Sequence, residues 1–124
     1  MAIDQAPYCV VRFGTIEKAV RWSQNRLNLR DWVIDIYYGE QVPLWANPKS
    51  SLSGQSETDF SHMRAKVWIN PEGCKVADYH PVAVAIHEVL HIFFHNYDIV
   101  EHDERMINTM EEILFKQWQA EKRR

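Results

Sequence analysis

The feature that most constrains this chain is the run PVAVAIHEVLHIFFH at residues 81–95. It is too apolar to lie on a surface and shorter than the roughly 20 apolar residues that span a bilayer. A core helix is the remaining solution, and Pro81 suits its first turn, with Asp78 or His80 as its cap. Yet His87, Glu88 and His91 stand inside the run. Burying polar groups without partners costs several kcal/mol. A fold built around this helix must therefore also supply what compensates these three side chains.

Helix geometry suggests a metal ion. Residues four apart lie on one face about a turn apart, so His87 and His91 offer two imidazole nitrogens to one ion. Zn2+ is the metal that such donors suit best. Glu88 is turned about 100° from His87, beside the ion rather than on it. From there its carboxylate can take a proton from a metal-bound water whose pKa the metal has lowered to about 7. A catalytic zinc also needs a third protein ligand and an open position. His95 continues the i, i+4 series, but an unbroken helix carries it roughly 12 Å from His87, too far to share the ion. Asp98, Glu101, His102 and Glu104 are the candidates beyond it. Glu104 comes thirteen residues after His91, which leaves room for a turn and for a last helix to run back against the first. Glu111 and Glu112 lie about two turns farther on and are weaker choices.

The rest of the chain predicts a small α+β domain. Residues 15–28 read as an amphipathic helix capped by Thr15, with Ile16, Ala19, Val20 and Leu27 near helical spacing. Residues 31–38 are rich in aromatic and β-branched types and read as a strand closed by Gly39. A second strand is expected over 65–70, where apolar residues alternate until Asn70-Pro71-Glu72-Gly73 stops it, and a third over 8–13. Between them, residues 43–62 are dominated by Pro, Asn, Ser and Gly and read as a flexible loop or lid. The last helix is expected from about Asp103 to Ala120, with Met106, Ile107, Met110, Ile113, Leu114 and Trp118 as its apolar stripe. The five tryptophans, at 22, 32, 45, 68 and 118, read as core or rim aromatics.

Composition excludes several classes of function. A net charge of −3 gives no basic footprint, so no nucleic acid is expected as a partner. No stretch is apolar for long enough to anchor the chain in a membrane, and the first residues, MAIDQAPYCVVRF, lack the pattern of a signal peptide. Cys9 and Cys74 are far apart without CxxC spacing and read as free thiols, so the expected location is cytoplasmic.

HEVLH followed by Glu104-Arg105-Met106-Ile107-Asn108-Thr109-Met110 resembles the gluzincin arrangement of zinc metallopeptidases, including ImmA/IrrE-type enzymes and related small phage and bacterial zincins. In those proteins a string like ExxANxFA supplies the third ligand; here Ile107 replaces the Ala and Met110 the Phe. The resemblance covers roughly residues 65–115. It implies a zincin-like fold over residues 1–124, with a small twisted sheet packed on an N-terminal helix, an active-site helix and a C-terminal helix. It also implies Zn2+ held by His87, His91 and Glu104, with Glu88 as the base that activates water and then protonates the leaving amine. Asn108 would hydrogen-bond a metal-binding histidine. Tyr97 or His102 would stabilise the oxyanion, with Tyr79 and His95 also near in sequence. The strand at 65–70 would border the cleft and pair with an extended protein or peptide substrate. The alternative is a catalytically silent zincin-fold module that holds metal for structure or for docking a partner. A zinc hydrolase acting on another amide or an ester is a third reading.

Overall fold

The computed structural model describes residues 7–47, 53–96 and 104–122. They form an α+β fold of four α-helices and a three-stranded mixed sheet: α1 (Phe13–Arg26), β1 (Val33–Tyr38), β2 (Gly54–Asp59), β3 (Arg64–Ile69), α2 (Pro71–Ala77), α3 (Pro81–Asn96) and α4 (Glu104–Lys122). A single 3-10 turn, Phe60–His62, joins β2 to β3.

α1 begins at Phe13 with Arg12 as its N-cap, so Thr15 lies inside the helix and residues 8–12 form no strand. Its buried face is Ile16, Ala19, Val20, Ser23 and Gln24. Two of these are polar, and both are satisfied locally. Ser23 donates its hydroxyl to Ala19 O at 2.8 Å. The Gln24 amide donates to Leu29 O and Trp32 O, tying the turn that follows the helix. That turn passes through Asn28 at φ 58°, a left-handed position that asparagine tolerates better than most residues.

The sheet order is β1-β3-β2, with β1 parallel and β2 antiparallel to β3. β3 is therefore the central strand. Its Ala65, Val67 and Ile69 are buried against the core, and Trp68, on the other face, is buried too and donates its indole N–H to Gly39 O at 2.8 Å. This corrects the expectation that residues 65–70 border the cleft: both edges of that strand are already paired. The edge position belongs to β2, which arises from the stretch 43–62 expected as a loop. Its residues, Gly-Gln-Ser-Glu-Thr-Asp, are polar because an edge strand buries little, so no apolar alternation marks it.

α2 also departs from expectation. Asn70-Pro71 does end β3, but the Asn70 side chain accepts the Glu72 and Gly73 N–H groups and Pro71 takes the first helical position, so a short helix starts there. The helix ends at Asp78, in the left-handed region at φ 57°. His80 then caps α3 by accepting the Val82 N–H on Nδ1 at 3.1 Å.

α3 is the centre of the molecule, packed against the sheet, α1 and α4. Most of its residues are buried, as expected for a core helix. α4 buries Ile107, Glu111, Phe115 and Trp118, a stripe at helical spacing. Met106 and Ile113, expected in that stripe, are half exposed. Trp118 meets Trp22 of α1 edge to face, with ring centroids 5.7 Å apart. Both cysteines are free thiols, Cys9 exposed and Cys74 buried. Among the described residues no helix is long and apolar enough to cross a membrane.

Candidate metal centre

His87 and His91 leave α3 on the side facing α4, while Glu88 turns toward β2. His87 Nε2 and His91 Nε2 are 3.2 Å apart. Glu104, on the first turn of α4, brings its carboxylate oxygens to 3.5 Å from His87 Nε2 and 3.4 Å from His91 Nε2. These three side chains are the one group of three or more potential ligands among the described residues whose donor atoms converge on a point.

Those separations fit a zinc ion. Bonds of about 2.0–2.1 Å in tetrahedral geometry put neighbouring ligand atoms about 3.3 Å apart. Protonation argues the same way. His87 Nδ1 lies 2.8 Å from Glu111 Oε1 on α4, and Glu111 is buried. Glu111 Oε1 accepts a hydrogen bond from the Nδ1–H of His87, which leaves the His87 Nε2 lone pair aimed at the point shared with His91 and Glu104. Lone pairs and a carboxylate that face one another call for positive charge. The pKa of His87 reports that field. Burial lowers it, but the hydrogen bond to Glu111 and the charges of Glu88, Glu111 and Glu104 outweigh burial and raise it overall.

Glu88 stands outside the ligand group and is buried. Burial pushes its carboxyl up to about 7, against the lowering effects of His87 and of a hydrogen bond from Ser56 on β2. Gly54, two residues before Ser56, sits close against it. A Cβ at Gly54 would lie 2.9 Å from Val84 Cγ1, 3.0 Å from Trp68 O and 3.3 Å from Glu88 Oε2. A side chain there would have to push aside Val84 and the Trp68 carbonyl, and would crowd the carboxylate. The cleft between α3, α4 and β2 is lined by Gly54, Gln55, Ser56, Glu88, His95 and the three converging side chains.

The structure thus brings together His87, His91 and Glu104, with Glu88 alongside. His95 lines the cleft without joining the ligand group. Tyr79 packs on the core at the α2–α3 connection. Tyr97, Asp98, Glu101 and His102 lie outside the described residues. Asn108 is half-buried on α4, but the carboxylate that meets His87 Nδ1 belongs to Glu111. A signal for Glu111 was present in the sequence. It stands in phase with Ile107, Phe115 and Trp118, an acid in the middle of a buried stripe, and such a group needs a partner. Ser56 and Gly54 carried no comparable signal, because the strand that holds them is polar.

Set against known proteins, the chain matches no family model, no curated protein and no solved structure.

Proposed function

We propose that this chain is a zinc-dependent peptidase of zincin-like architecture. The observation that carries the reading is the convergence of His87, His91 and Glu104 beside a buried glutamate, in a cleft bordered by an edge strand. A bound Zn2+ supplies Lewis acidity that polarises the scissile carbonyl and makes water easier to deprotonate.

The remaining work falls to the chain's own residues. Glu111 orients His87 through Nδ1. Glu88 serves as general base and then as general acid: its buried carboxyl, beside the ligand group but not in it, accepts a proton from water and returns one to the departing amine. Ser56 and the bare Gly54 hold that carboxyl against β2. The outer edge of β2 is the natural track for an extended peptide, by strand addition, in place of the 65–70 strand.

The test is Glu88→Gln, assayed for zinc content and for hydrolysis of a mixed peptide library. The expected result is full zinc occupancy with cleavage reduced by about a thousandfold or more, as removal of an essential base and its partner functions costs. Cleavage that survives the change would remove Glu88 from the mechanism. Zinc bound by wild type with no cleavage of any peptide would favour the silent metal-binding module instead.

A further inference from the structure

We propose that the end of the cleft where Phe60 meets His95 is a subsite for an apolar side chain of the peptide, so that the protein selects substrates with a large hydrophobic residue about four positions from the cleaved bond. The inference rests on the peptidase reading above and adds its substrate preference.

Phe60 is the first residue after β2, and 48 % of its surface is exposed, although phenylalanine is among the residues most often buried. The ring is nevertheless held in place. It lies 5.8 Å from the His95 ring, tilted by 32°, and the Trp32 ring meets it edge to face at 6.0 Å. Met63, 41 % exposed, closes the same turn: its N–H donates to Phe60 O at 3.2 Å and its carbonyl accepts the Val33 N–H at 3.0 Å. An aromatic side chain fixed on two sides and open on another is a platform for a further apolar group.

The platform is continuous with the metal centre, because His95 lines the same cleft as His87, Glu88 and His91. β2 and α3 run the same way along it: Gly54 lies beside Glu88, and Phe60 beside His95. From Ser56, which bonds Glu88, to Phe60 the chain advances four residues, roughly 13 Å, and a peptide paired along β2 advances by the same count. Side chains of a strand added along β2 alternate between the two faces, so one that faces α3 at this distance arrives at the Phe60–His95 pair. Among the described residues the Glu88 end offers the carboxylate, the Ser56 hydroxyl and the candidate metal ligands rather than an apolar surface.

The experiment uses the full zinc-loaded chain and peptides that vary as Leu, Phe, Gly or Asp at each position up to about six from the cleaved bond. A preference for Leu and Phe over Gly on the order of tenfold in kcat/KM is expected at one position about four residues away, the low end for an apolar pocket because this one is open. In Phe60→Ser the preference should collapse toward unity, and in Phe60→Leu it should persist. The same peptides titrated against zinc-loaded Glu88→Gln, with and without Phe60→Ser, read the preference as binding and need no turnover. Absence of any apolar preference, or a preference unchanged in Phe60→Ser, overturns the subsite. Apolar-selective binding to Glu88→Gln without cleavage by wild type keeps the subsite and overturns the peptidase reading. Neither binding nor cleavage overturns both.

Discussion

α3 has histidines in two settings, and they carry opposite electrostatic characters. His80, just ahead of the helix, accepts the Val82 N–H on Nδ1 and has Nε2 3.3 Å from Cys9 Sγ, with its ring packed 4.8 Å from Phe115. Burial lowers its pKa, so it stays neutral and serves as a cap. About two turns into the helix, His87 is likewise half-buried, yet its pKa is raised because Glu111 meets Nδ1 and Glu88 and Glu104 lie close by. The side chain and the helix are the same in both places. What separates the neutral cap from the candidate ligand is the set of carboxylates around it: Glu88 of α3 itself, and Glu104 and Glu111 that α4 delivers to one site and not to the other.

The comparison is tested hardest by removing the acid that completes the ligand group. Glu104→Ala should weaken zinc binding by more than about 100-fold, beyond the usual range for groups that only support a ligand. His102→Ala should retain the metal. Loss of metal in the second variant and not in the first would transfer the ligand role to His102.

Removal of the supporting acid should cost less. Glu111→Ala should weaken zinc binding about 10–100-fold, and Asn108→Ala should change it little; a zinc titration against a competing chelator reads both. If the two variants behave alike, the Glu111–His87 bond is not what orients the imidazole. Smaller again is Gly54→Ala. The added methyl overpacks the contact with Val84, Trp68 and Glu88, at a cost of about 1–3 kcal/mol in chemical denaturation. Zinc should stay bound while hydrolysis falls, since Glu88 moves and the ligands do not.

His80→Ala probes the other setting and should have the smallest effect, a loss of about 1 kcal/mol of stability from the missing cap with zinc affinity unchanged. The two histidines also predict opposite pH slopes in metal-free protein. His80, with a lowered pKa, contributes stability above the ordinary histidine value of 6.5, and this is lost as pH falls through its folded value. His87, with a raised pKa, contributes stability below 6.5, and this is lost as pH rises through its folded value. Melting curves of His80→Asn and His87→Asn across that range should lose opposite slopes.

Much of this site was legible because helix geometry is local. HEVLH in an apolar run specifies a buried helix with two imidazoles on one face and Glu88 to the side, and α3 spans Pro81–Asn96 against the expected 81–95. The spacing to Glu104 likewise sufficed to propose that a returning helix would bring it back to the pair. Local pattern was a poorer guide where burial was slight or capping decisive. β2 is polar at an edge, so it read as loop. α2 follows Asn70-Pro71, which serves both as a strand stop and as a helix start.

The sequence by itself determined the helices that carry the candidate ligands and the chemistry of their donor atoms, since both follow from residue type and spacing over a few turns. Only the tertiary structure decided which strand borders the cleft and which acid holds His87. β3 is central because β2 and β1 pair on its two sides, and Glu111 reaches His87 across 24 residues of chain because α4 packs on α3 in one particular phase. Such choices depend on contacts between distant segments, and those are set by how whole faces fit together.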